Sequence, residues 1–152
     1  MSKRIVSFAL IITLMMCCVS LTSCYTKHLY YTYDGLSDEL IKIEYVKLLP
    51  TKRPFDYDKE IIRTLSEEEK EFVLKGMDGV RLDSTEVGID TLTKELEGLI
   101  LCYPTYNLIF TQSLIAKEEV EPKDEYYVPD TAYIKSNEKL NKIILDITNA
   151  TN

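Results

Sequence analysis

The residues best suited to nucleophilic or metal chemistry are scarce in this 152-residue chain: one histidine, His28, and four cysteines, Cys17, Cys18, Cys24 and Cys102. A Ser-His-Asp or Cys-His arrangement needs its base inside a formed cleft, beside the nucleophile. His28 has no nucleophile close to it in sequence. A zinc site needs three or four N or S ligands, and this composition does not supply them. No catalytic residue, cofactor or metal is therefore assigned. Cys102 lies between Leu101 and Tyr103 in an apolar run. A reactive thiol needs an electropositive, partly exposed setting, so Cys102 is expected as a small buried hydrophobe.

Carboxylates are plentiful at Asp56/Asp58, Glu67 to Glu69, Glu118/Glu119/Glu121 and Asp124/Glu125. A glycosidase sets two of them across a cleft and raises the pKa of one. These acids fall in expected loops or first turns, and the reading is a solvated surface. Asp56-Tyr57-Asp58 lacks the glycine and distal Glu of an EF-hand loop. The tyrosines, eleven against no tryptophan, are the remaining signal. Tyr103 and Tyr106 at a hairpin tip, and Tyr126-Tyr127 beside Pro129, are the candidate partner surface, because tyrosine offers large rigid area with a polar end. The alternative is that they cover the sheet.

The elements that must position these groups follow from periodicity. LIKIEYVKLL (40–49) alternates as a strand, with Ile41, Ile43 and Tyr45 on one face and Lys42 and Glu44 on the other. KEIIRTL (59–65) reads as a second strand. Ser66-Glu67-Glu68-Glu69 is a capping box and opens a helix over 66–75, with Phe72 and Val73 inward and Gly76 just beyond its end. Residues 80–87 suggest a strand, and 88–97 a loop or a helical turn. GLILCY (98–103), Pro104-Thr105 and YNLIFTQSLIAK (106–117) read as a hairpin with two long apolar arms in mid-sheet. Residues 118–125 read as an acidic loop and 131–135 as a short strand. Leu140, Ile143, Ile144 and Ile147 are spaced for a helix over 137–148, capped by Ser136 or Asn137. The expected class is α+β: a single, mostly antiparallel sheet of about four to six strands with two helices packed on it.

The N-terminus has a different logic. Lys3 and Arg4 precede an apolar run from Ile5 to Val19, and small or weakly polar residues follow up to Cys24. This is the layout of a secretory signal peptide, and about 15 apolar residues fall short of the ~20 that span a bilayer. Leu21-Thr22-Ser23-Cys24 resembles the lipobox of bacterial lipoproteins, and the match is confined to the leader. The resemblance implies diacylglyceryl transfer to the Cys24 thiol and cleavage between Ser23 and Cys24. It also implies, in most members, acylation of the new amine. It divides the chain into a leader (1–23), a lipidated tether (24–35) and one globular domain (36–152). Within the tether, Tyr30, Tyr31 and Tyr33 suit either a first edge strand or the membrane interface. Tyr25 follows the cysteine, and in lipoproteins of the Gram-negative type an Asp there favours inner-membrane retention. Positions 25–29 carry no acid, unlike some surface-export signals. The resemblance therefore implies the outer membrane, facing the periplasm.

Removing residues 1–23 takes Lys3 and Arg4 from the 18 basic side chains and none of the 25 acidic ones, leaving a formal charge of −9. So acidic a domain is repelled by nucleic acid and by anionic membranes, so membrane contact is expected through the lipid on Cys24. With Cys24 acylated, only Cys102 is left and no intramolecular disulfide can form. The expected function is a lipid-anchored envelope protein that binds a protein partner and is not an enzyme. The alternatives are a carboxylate-dependent enzyme on cell-wall or lipid substrates, and a structural subunit of an envelope assembly.

Overall fold

The computed structural model describes residues 26–51, 57–85, 94–121 and 130–151. In chain order they form β1 (Thr26–Tyr30), α1 (Tyr33–Ser37), β2 (Lys42–Pro50), β3 (Tyr57–Thr64), α2 (Glu67–Met77) and β4 (Arg81–Thr85). Then come β5 (Leu96–Cys102), β6 (Tyr106–Thr111), β7 (Leu114–Glu119), β8 (Asp130–Ile134) and α3 (Glu138–Thr151). The strands make one sheet in the order β1-β4-β8-β7-β6-β5-β2-β3, and every neighbouring pair is antiparallel. The α+β class is the one the sequence indicates.

The sheet has eight strands, more than the four to six expected, for two physical reasons. The apolar arm 106–117 is broken in two: the Thr111 hydroxyl accepts hydrogen bonds from the backbone N–H of Ser113 (3.2 Å) and Leu114 (2.9 Å), which turns the chain between β6 and β7. The second addition is β1, from residues assigned to the tether. Thr26 to Tyr30 pair with Thr85 to Arg81 of β4, and Tyr31 exchanges backbone hydrogen bonds with Val80 and Gly79. Among the described residues the sheet thus starts at Thr26, within the stretch read as tether.

All three helices contribute to the core on one face of the sheet. Leu36 of α1, Val73, Leu74 and Met77 of α2, and Leu140, Ile143, Ile144 and Ile147 of α3 meet Ile43, Tyr45, Leu99, Leu101, Phe110 and Ile115. The capping box is formed: Ser66 Oγ accepts from Glu69 N–H at 3.3 Å, and Ser66 N–H donates to Glu69 Oε2 at 2.9 Å. Asn137 Oδ1 accepts from Leu140 N–H at 3.1 Å and caps α3. Two details of α2 differ from the sequence reading. Phe72 is 45% exposed, and the inward stripe is Val73, Leu74 and Met77. Gly76 lies inside the helix, where a Cβ would come within 2.8 Å of Ile143 Cδ1. Its missing side chain lets α2 and α3 approach, and the turn out of the helix falls to Gly79 at φ +69°.

The opposite face carries a second apolar cluster: Val46, Leu48, Leu96, Ile100, Cys102, Ile109, Leu114 and Ala116, with Tyr57 packed against it. The sheet curls around this cluster. Lys59 and Tyr57 of β3 both bond to Glu118 of β7, although β2, β5 and β6 lie between them. In a flat sheet four strand spacings amount to about 19 Å, beyond the combined reach of a lysine and a glutamate. A β-bulge between Tyr45 and Val46 adds local twist. At Gly98 a Cβ would collide with the Phe110 carbonyl oxygen and sit 2.9 Å from Thr111 Cγ2, so β6 crosses β5 at a separation only glycine permits.

Candidate functional site

Ser23 and Cys24, with Tyr126 and Tyr127, lie outside the described residues. His28 belongs to the edge strand and not to a tether. Its Nδ1 is 2.7 Å from Asp83 Oδ1 on the paired strand, and Arg81 Nη2 is 3.0 Å from the same nitrogen. The hydrogen bond from His28 holds the Asp83 carboxyl below its ordinary range. Cys102 is buried, and desolvation, followed by the charge of Glu44, pushes its thiol up to about 11. It is a protonated packing residue at neutral pH.

Burial divides the tyrosine pair. Tyr103 is 4% exposed, and its hydroxyl donates to the Leu36 carbonyl at 2.7 Å. This removes Tyr103 from the proposed partner surface. Its apolar neighbours in β5 draw it beneath α1. Tyr106 stacks on it with ring centroids 4.6 Å apart at 20°, and Lys117 Nζ lies 4.4 Å from the Tyr106 centroid. A half-buried Tyr106 with Tyr103 and Lys117 against its ring offers a partner chiefly its edge and hydroxyl. Around it, Pro104 and Thr105 of the hairpin loop and Lys117, Glu119, Val120 and Glu121 at the end of β7 line an open cleft of about 400 Å³. Thr105 C=O accepts from Val120 N–H at 3.1 Å and ties the two sides together. The cleft presents a lysine, two acids and an exposed valine.

Glu118 corrects the reading of the 118–121 acids as wholly solvated, because it is 7% exposed. Lys42, Cys102, Asn107 and Glu118 form one cross-strand row, and Glu44 lies one pleat away on the same face. Glu44 Oε1 accepts from Lys42 Nζ at 2.6 Å, and Oε2 faces the Cys102 thiol at 3.7 Å. Glu118 Oε1 accepts from the Tyr57 hydroxyl at 2.6 Å, and Oε2 pairs with Lys59. All four carboxylate oxygens thus face protein groups, and Glu118 links β7 to β3 across the curl. A period-two signal did exist: Leu114, Ala116 and Glu118 share one face, as do Glu44, Val46 and Leu48.

Among the described residues no cluster of three or more His, Cys, Asp or Glu is arranged to hold a metal ion. No helix there is long and apolar enough to cross a membrane. The chain matches no family model, no curated protein and no solved structure.

Proposed function

We propose that this chain is a bacterial envelope lipoprotein that acts by binding a protein partner. The leader ends at Ser23, Cys24 carries the acyl chains, and the α+β domain from Thr26 onward presents the contact surface. The observation that carries the reading is Leu21-Thr22-Ser23-Cys24 at the close of an apolar run of about 15 residues behind Lys3 and Arg4. Two or three acyl chains, each buried methylene contributing about 0.8 kcal/mol, hold a domain at a membrane stably. An acidic domain needs such an anchor, since its charge opposes adsorption to an anionic surface. The Tyr106 cleft at the β5–β6 tip is the site we assign to the partner, in the outer membrane's periplasmic space.

Two measurements test this. Cys24→Ser should move the protein from the membrane fraction to the soluble fraction, and an unchanged distribution contradicts the anchor. A photo-crosslinking residue at Val120, which is 47% exposed, should capture one recurrent protein in intact cells. The same residue at Ile61, on the far edge strand, should not. Equal capture at both positions contradicts the assignment of the cleft.

A further inference from the structure

An anchor at Cys24 leaves very little chain before the fold begins. Strand β1 starts at Thr26, and two residue steps span at most about 7 Å even when fully extended. The headgroup layer on each side of the ~30 Å hydrocarbon core is itself about 5–7 Å thick. If the acylated cysteine sits at the hydrocarbon boundary, Thr26 can lie no farther out than the rim of the headgroups. The constraint acts on Thr26, which opens the terminal strand of the sheet, and Tyr30 lies about 13 Å farther along that strand.

The chemistry of that edge suits such a position. Leu29 and Leu82 turn toward the helix-face core. The alternate positions of the pair, His28, Tyr30, Arg81 and Asp83, therefore share the other face. Tyr30 is 66% exposed, the most exposed of the large hydrophobic side chains described. Tyrosine rings favour the headgroup level of a bilayer, where one end is apolar and the other wet. Arg81 is 59% exposed beside it, with Nε 3.5 Å from Asp83 Oδ1, and a guanidinium has the geometry that matches a phosphate. Lys135 donates its backbone N–H to the Asp83 carbonyl, and Lys139 Nζ donates to the Asp78 carbonyl at 2.7 Å. This rim therefore holds Arg81, Lys135 and Lys139 beside Asp78 and Asp83, in a domain whose formal charge is −9.

We propose that the β1–β4 edge is the membrane-facing surface of the anchored domain, with Tyr30 and Arg81 among the phospholipid headgroups. The inference rests on the lipid anchor at Cys24. It leaves β3, the terminal strand at the other end of the strand order, off the bilayer.

The chain contains no tryptophan, so single-tryptophan reporters read position without background. The acylated full chain is reconstituted in vesicles of phosphatidylethanolamine and phosphatidylglycerol containing a headgroup spin-labelled lipid, with Trp placed singly by Tyr30→Trp, His28→Trp or Ile61→Trp. All three positions are exposed, Ile61 by 57%, and unchanged circular dichroism confirms folding. Flotation of the vesicles is measured on the same samples. Tyr30→Trp and His28→Trp should lose most of their emission to the spin label, and Ile61→Trp little. A protein that floats with the vesicles but shows equal quenching at all three positions, or strongest at Ile61→Trp, overturns the orientation and leaves the anchor standing. A protein that does not float overturns the anchor, and the orientation with it.

Discussion

Replacing Lys59 with methionine removes the cation facing Glu118 while keeping the stem that packs over the curled face. Glu118 keeps its hydrogen bond from Tyr57 at 2.6 Å, but at 7% exposure its carboxylate loses its counter-charge and has little access to water. Breaking a buried pair by removing one partner costs about 3–5 kcal/mol when the survivor stays buried. Here the Tyr57 hydroxyl offsets part of that, so about 2–3 kcal/mol is expected. The reciprocal change, Glu118→Gln, leaves a different survivor. The Lys59 side chain is 35% exposed and can swing its ammonium into water, so the expected loss is about 1 kcal/mol. The order follows from burial: the lysine substitution is the more damaging, although the same bond is broken. Urea unfolding of the domain expressed from Tyr25 onward, followed by circular dichroism, reads both losses as shifts in midpoint at constant m. The double variant Lys59→Met/Glu118→Gln should recover part of the Lys59→Met loss, since no charge is then stranded. Equal losses, a reversed order, or strict additivity in the double variant would refute the claim that this pair latches β3 to β7.

Other consequences are as direct. Gly98→Ala places a methyl against the Phe110 carbonyl oxygen, so it should cost about 1–3 kcal/mol or more by the same unfolding assay. A neutral outcome contradicts the close crossing of β5 and β6. Arg63 pairs with Glu69 through two hydrogen bonds of 2.8 and 2.7 Å, and these, with the Ser66 backbone bond, hold the Glu69 carboxyl down to about 2. Because the folded value lies below the unfolded one of about 4.3, the pair's contribution is full above pH ~4.3. It fades as the pH falls from there toward ~2. Both side chains are about a quarter exposed, so about 1–2 kcal/mol separates the wild-type protein from Arg63→Met at pH 6. That gap should narrow on acidification to pH 2.5, and a gap independent of pH contradicts the pairing.

Regular spacing made much of this fold legible. The stripe Leu140, Ile143, Ile144 and Ile147 is buried as its period demands, and the Ser66–Glu69 box forms as written. GLILCY is a strand buried on both faces in the interior of the sheet. Other features depended on tertiary context. The run 106–117 is apolar throughout, so nothing in its hydrophobicity marks the turn that Thr111 makes with its hydroxyl. Tyr30, Tyr31 and the residues before them carry no clean alternation, and their strand is defined by pairing with β4. Glu118 reads as solvated because acids usually are, and Glu44 sits on the face of its strand away from Ile43 and Tyr45, yet both are buried. Period two places each on an apolar face, but only the curl that brings Lys59 over Glu118 gives that carboxylate its buried counter-charge. The tyrosines show the same limit: adjacent in the hairpin, Tyr103 is drawn under α1 while Tyr106 stays at the rim.

The covalent state of Cys24 decides whether the domain is anchored, and the intact mass of the N-terminal peptide from the membrane fraction reports it. A peptide beginning at Cys24, with diacylglyceryl on the thiol and in most hosts an acyl group on the amine, is the predicted result. A peptide beginning at Met1, or one in which Cys24 is unmodified, contradicts the anchor and the membrane-facing edge derived from it.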